Sequence, residues 1–222
     1  MPETATAPAI DAVTRTVDLM PEDDRLHVRT TLRTNLAVPA ARVWPLLTDP
    51  AELATWYGPV QGDLREGGAF TALGGASGRI LRVEEPHRLS LTWEYAGQAD
   101  PLELFLDPED DGTTELRLVH EVTMAQEVFD RFGPGATAVG WDLALLGLAA
   151  RTEGWRTTCQ ALVPVPGPAW LVSEEGREYV RAWSIRWAAA SIAAGTDETA
   201  ARRAEAETTR AYGGETAAVP AS

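Results

Sequence analysis

The chain has 222 residues, enough for one sizeable core with an extension or for two small domains. Its 33 acidic residues outnumber 19 basic ones, and the net charge of −14 disfavours nonspecific binding to nucleic acid or anionic lipid. Every basic residue is arginine, which excludes chemistry that depends on a Schiff-base lysine or a phosphate-loop lysine.

The hydrophobic content of 45% is that of an ordinary globular protein. No uninterrupted apolar run reaches the roughly 18 residues of a membrane span. The start, MPETATAPAIDAV, lacks the basic and apolar regions of a secretory signal. The one cysteine, Cys159, cannot form an internal disulfide, so a cytoplasmic protein is expected.

Residues 1–25 are rich in Ala, Thr, Pro and acidic side chains and read as a mostly disordered arm. The alternative is a docking segment around Leu19 and Met20. From Leu26 the pattern has period two: Val28, Leu32, Leu36 and Val38 share one face of a long half-buried strand, which Pro39 ends. Two short helices follow, AARVWPLL and AELATWYG, the second capped by Asp49 and stopped by Gly58-Pro59.

Residues 60–121 then repeat the strand grammar six times, with turn signals between the segments. Leu89, Leu91, Trp93 and Tyr95 alternate cleanly; so do Leu102, Leu104 and Leu106, and so do Leu116, Leu118, His120 and Val122. Short spacings imply an antiparallel meander, about seven strands with the first. MAQEVFDRFGPG reads as a loop with one helical turn.

A long helix is expected from Gly135 to about Cys159. Trp141, Leu145, Leu148, Thr152 and Trp155 form one apolar stripe, and Val139, Leu143, Leu146 and Ala150 a second on roughly the opposite side. Such a helix needs cover on both sides: the sheet on one, the tail on the other. Cys159 falls on the first stripe and reads as buried, inert packing. After the proline-rich linker ALVPVPGPAW, two more helices are expected, 171–194 with Tyr179, Val180, Trp183 and Trp187 on one face, and one from Asp197 to Gly213-Gly214. The last residues are expected to fray.

The ordered set VPAARVWPLLTDPAELATWYG, GGAF, SGRILRVEEPHRLSLTWEY, TTELRLVHE and GWDLALLGL resembles the START-like (SRPBCC) superfamily. Within it, the chain is similar to the bacterial family related to the activator of heat-shock protein 90 ATPase. The resemblance spans roughly residues 26–158. It implies an α+β helix-grip fold, with a curved antiparallel sheet around the long C-terminal helix and an apolar cavity between them. The expected organisation is the arm, a START-like domain over 26–160 and a helical extension over 161–222.

If the cavity is open, the inward strand faces and the first helix stripe line it. That nominates Trp93, Tyr95, Leu104, Leu118, His120, Trp141, Leu145 and Leu148, with Trp44 and Trp56 near an entrance. A binding pocket is typically ~300–1,000 Å³, mostly apolar, with a few polar groups that orient the ligand. The alternative is that these side chains simply fill the core. His120 is the polar residue of interest, as a ligand-orienting group, a general acid or base, or a histidine satisfied by its surroundings.

No histidine and cysteine spacing suits zinc, DPEDDG lacks calcium-loop spacing, and no serine has nucleophile-elbow surroundings. No cofactor, metal or catalytic set is therefore expected. Three functions remain: non-enzymatic binding of a small apolar ligand, a polyketide cyclase-like enzyme using His120 and Tyr95, and a co-chaperone-like module with a protein partner. The tail is a lid or an interface, and the protein a monomer or a homodimer.

Overall fold

A computed structural model of the chain describes residues 6–213. The expected fraying of the last residues lies outside them. After a short helix α1 (Thr6–Asp11), the chain forms strands β1 (Val13–Glu22) and β2 (Arg25–Leu36), then helices α2 (Ala40–Thr48) and α3 (Pro50–Trp56). The meander runs through β3 (Gln61–Gly62), β4 (Ala69–Thr71), β5 (Ser77–Glu84), β6 (Arg88–Tyr95), β7 (Gln98–Pro108) and β8 (Thr114–Ala125). Next come α4 (Gln126–Phe132) and the long helix α5 (Gly135–Arg151). A small hairpin, β9 (Gly154–Trp155) and β10 (Thr158–Cys159), leads to α6 (Pro168–Leu171), α7 (Glu174–Ala193) and α8 (Glu198–Tyr212).

The antiparallel sheet has the order β10-β9-β2-β8-β7-β6-β5-β4-β3, with β1 also paired to β2. All seven expected strands are present, and β1, β9 and β10 are added. The α+β helix-grip architecture read from the sequence is the one observed: the sheet curves around α5, and the C-terminal helices cover the helix from behind.

Three expectations are corrected. First, the arm is not disordered over 13–22. Val13, Arg15, Val17 and Leu19 alternate inward, and β1 pairs along its whole length with β2, from Val13 opposite Thr34 to Glu22 opposite Arg25. The two-residue turn at Asp23–Asp24 closes the hairpin, with Asp23 at φ 52°, the left-handed conformation such turns require. Residues 1–5 lie outside the described part.

Second, α5 ends at Arg151, eight residues early. Gly154 takes φ +90°, and a side chain there would meet the Thr158 carbonyl. The chain instead continues the sheet edge: Trp155 pairs with Leu36, and Arg156 N donates to the Asn35 carbonyl at 2.8 Å. Trp155 is still buried, but against β2. Cys159, freed from the helix, is exposed.

Third, β8 runs on to Ala125, and α4 is a helix of seven residues where a loop was expected.

The tail packs on the rest of the chain. Ser173 caps α7 by accepting from Gly176 N, and Asp197 caps α8 by accepting from Ala200 N. Tyr179, Val180, Trp183 and Trp187 of α7 are buried among α1, β1, α5 and α8. Helix α8 turns Ala201, Ala204 and Thr208 inward; Gly135 has no room for a side chain because Thr208 occupies it. Thr208 Oγ1 donates to the Phe132 carbonyl at 2.7 Å, and Tyr212 Oη to the Ala136 carbonyl at 3.0 Å.

One buried ion pair ties these layers together. Arg15 of β1 donates to Asp142 Oδ1 of α5 through Nε at 2.9 Å and Nη2 at 2.6 Å, while Trp187 Nε1 of α7 donates to Oδ2 at 2.7 Å. Arg15 Nη1 donates to the Val13 and Ile10 carbonyls. Burial raises the Asp142 carboxyl pKa, and Arg15 and Trp187 oppose the rise.

Candidate functional site

Between the sheet and α5 lies a half-enclosed cavity of about 110 Å³. Its wall takes Leu145, Leu148 and Trp141 from α5, whose spacing of three and four places them on one face. The central strands of the sheet contribute Ile80 of β5, Leu89, Leu91 and Trp93 of β6, Leu102 and Leu104 of β7, and Leu116 and Leu118 of β8. Their alternation follows from the period of two, and the register aligns them, with Leu89 opposite Leu104 and Leu104 opposite Leu118.

Much of the remaining wall comes from side chains the sequence reading did not nominate, Leu53, Tyr57, Val60, Leu64 and Phe70, from α3 through β4, beside the nominated Trp56. The signal available was the Trp56-Tyr57-Gly58 run at the end of α3. Phe70 stands where it does because Gly78, its partner across the strands, has no side chain; a Cβ there would lie 2.7 Å from the ring. The Trp56 indole is fixed by its Nε1–H donating to the Leu46 carbonyl at 2.9 Å.

Seven of the ten nominated residues line this cavity: Trp56, Trp93, Leu104, Leu118, Trp141, Leu145 and Leu148. Three do not. Trp44 is buried in the core on α2, away from the wall. Tyr95 sits at the end of β6, 38% exposed, beside the Ala96-Gly97 turn. His120 follows Leu118 on the same face of β8 but is not itself part of the wall.

His120 and Tyr95 are therefore not brought together. Tyr95 is level with Gln98 and His120 with Leu102, four residues, or roughly 13 Å, further along β7. His27 is half-buried, with Nε2 3.4 Å from a Glu121 carboxylate oxygen, and His87 is exposed, with Nδ1 3.2 Å from the Leu106 carbonyl.

The wall is almost wholly apolar and strongly aromatic. Trp93 packs edge-on against Trp141 at 5.1 Å between ring centroids, and Trp141 edge-on against His120 at 5.4 Å. Burial pushes the Tyr57 hydroxyl up to about 12, so it stays protonated at neutral pH. Burial pushes His120 down to about 4, so its ring stays neutral. Trp141 Nε1 lies 3.1 Å from His120 Nδ1. Nε2 of His120 is buried with no hydrogen-bond partner among the described residues, a state that costs about 1–3 kcal/mol when left so.

The volume sets a scale. An apolar cavity of about 150 Å³ holds one benzene; at about 110 Å³ this half-enclosed cavity falls short of that, so a one-ring ligand needs the wall to give slightly or extends through the open side. It is smaller than the range expected of a binding pocket.

Among the described residues no group of three or more His, Cys, Asp or Glu is placed to hold a metal ion. None of the described helices is long and apolar enough to cross a membrane.

Comparison with known proteins places this geometry in context. The family described as activator of Hsp90 ATPase homolog 1-like protein matches residues 37–153. Among curated proteins none matches the chain. Among solved structures the chain is similar to CalU16 from Micromonospora echinospora. The CalU16 crystal structure is 29% identical, with a TM-score of 0.59 over 83% of this chain and 99% of CalU16. The CalU16 solution structure is 32% identical, with a TM-score of 0.61 over 83% and 97%. That likeness is wider than residues 37–153 and takes in part of the added elements.

Proposed function

Because the chain belongs to the family of activator of Hsp90 ATPase homolog 1-like proteins, we propose that it binds a small apolar ligand in the cavity between the sheet and α5, without chemistry on it. One observation carries this reading: the two sides of the fold converge on a space walled by three tryptophans, a tyrosine and aliphatic side chains, with almost no polar atom facing it. Such a wall favours an apolar guest because it removes apolar surface from water, at about 25 cal/mol per Å². The two groups a cyclase-like reaction would draw on are apart, and the one beside the cavity, His120, is a very weak base.

Native mass spectrometry of the protein purified from its own host tests the proposal. A stoichiometric small apolar compound, released by denaturing extraction, is the expected result. A bare chain that also fails to take up a one-ring hydrocarbon would overturn it.

A protein partner is the second reading, favoured by the exposed Leu162, Val165 and Val172 in and after the linker. It predicts that Val165→Asp weakens capture of a chaperone partner while leaving cavity binding intact.

A further inference from the structure

Three of the polar hydrogens carried by the cavity wall are already spent. Thr48 Oγ1 donates to the Trp44 carbonyl at 2.9 Å, Trp56 Nε1 to the Leu46 carbonyl at 2.9 Å and Trp141 Nε1 to His120 Nδ1 at 3.1 Å. Two wall side chains keep a hydrogen that meets no partner among the described residues: the Tyr57 hydroxyl and the Trp93 indole. Among the described residues the wall includes no arginine, histidine or carboxylate.

Tyr57 is the better placed of the two. It closes the last turn of α3, its amide donating to the Leu53 carbonyl at 2.9 Å, and Trp56 packs edge-on against its ring at 5.6 Å between centroids. The backbone bond and the anchored indole hold the ring in the wall, half-buried, with the hydroxyl at its tip. That hydroxyl stands out of bulk water, since burial alone raises its pKa to about 12. A hydroxyl withdrawn from water with no protein partner is unsatisfied, and the space on its side of the wall is the cavity. It also turns about its C–O bond to meet a guest, whereas the Trp93 indole is held by its ring packing on Trp141 and Phe70.

Resting on the reading that the cavity holds an apolar guest, we propose that the guest carries one oxygen and that the Tyr57 hydroxyl donates to it from within the wall. The ligand class is then a small uncharged aryl ketone, aldehyde or ether, its ring among the aromatic side chains and its oxygen towards α3. A plain hydrocarbon leaves the hydroxyl unmade. A carboxylate or an ammonium would bring a charge to an apolar wall with no counter-ion on it.

Acetophenone and α-methylstyrene separate these cases, since they differ only in C=O against C=CH2. Titration of the full chain with each, normalised to the probe's transfer from water to cyclohexane, should favour acetophenone by about three- to tenfold. Tyr57→Phe removes the hydroxyl and keeps the ring; it should abolish that preference and leave α-methylstyrene affinity within about twofold. Trp93→Phe should keep the preference. The carbonyl stretch of bound acetophenone should lie at lower wavenumber in wild type than in Tyr57→Phe. Equal normalised affinities in wild type, or a preference that survives Tyr57→Phe, would overturn this inference and leave the cavity reading standing. Failure of wild type to bind either probe would overturn both.

Discussion

Trp141 and Asp142, adjacent on α5, each make a buried polar contact, and the two contacts are built to different standards. The Asp142 contact is complete: Arg15 and Trp187 supply three donors, and Arg15 spends a further nitrogen on two backbone carbonyls. It joins β1, α5 and α7, elements far apart in sequence, and its worth lies in specifying how they dock. The Trp141 contact is incomplete: His120 accepts on one ring nitrogen and, among the described residues, has no partner on the other. A fully satisfied buried network holds structure together; a half-satisfied one weakens the fold.

The largest effect expected follows from breaking the complete contact. Arg15→Met leaves Asp142 buried with no cation and should destabilise the fold by about 3–5 kcal/mol in denaturant titration. The double variant Arg15→Met with Asp142→Leu should recover much of the loss, because an apolar pair of similar volume needs no charge compensation. Failure of the double variant to recover would show that the packing of β1, not the charge, is what Arg15 supplies.

The incomplete contact predicts a smaller effect and a pH dependence. The His120 pKa is depressed from 6.5 to about 4 by burial, so protonation favours the unfolded chain. Stability from this group is full above pH 6.5 and falls as pH drops towards 4, by about 3 kcal/mol in all. Asp100, raised to about 6 by burial, acts with the opposite sign, losing stability as pH rises through that value. The readout is therefore the difference between wild type and His120→Leu, in which Asp100 cancels. That difference should be steep between pH 6.5 and 4 and flat above; no pH dependence would mean His120 is solvated.

Most of the fold was legible because the sheet obeys period two and its turns carry Gly, Pro and Asp. Six of the ten nominated residues reached the cavity wall by the same logic, inward strand positions and one helix face, and Trp56 joined them from α3. The misses share a cause. In β1, Val13, Arg15, Val17 and Leu19 alternate as a strand should, but the composition of the first 25 residues masked the pattern, and an inward arginine reads as exposed until its partner is known. The buried role of Asp142 is hidden for the same reason: its partners lie 127 and 45 residues away.

The end of α5 was overrun because Thr152 and Trp155 happen to continue the stripe. Gly154 was the signal to stop. Tyr95 continued a clean alternation, but alternation gives the face of a strand and not the distance along it, and Tyr95 lies beyond the cavity's end. The orphan nitrogen of His120 was beyond reach of the sequence, because it depends on what the indole of Trp141 donates to.

The central claim is that the space between the sheet and α5 receives a guest. Ala144 lines it on α5, and Ala144→Phe places a ring where the guest would sit. Titration with α-methylstyrene, followed through the fluorescence of the wall tryptophans, should give a saturable change in wild type. It should give none in a folded Ala144→Phe protein. Equal saturable binding by both would contradict the account, since the probe would then be held elsewhere.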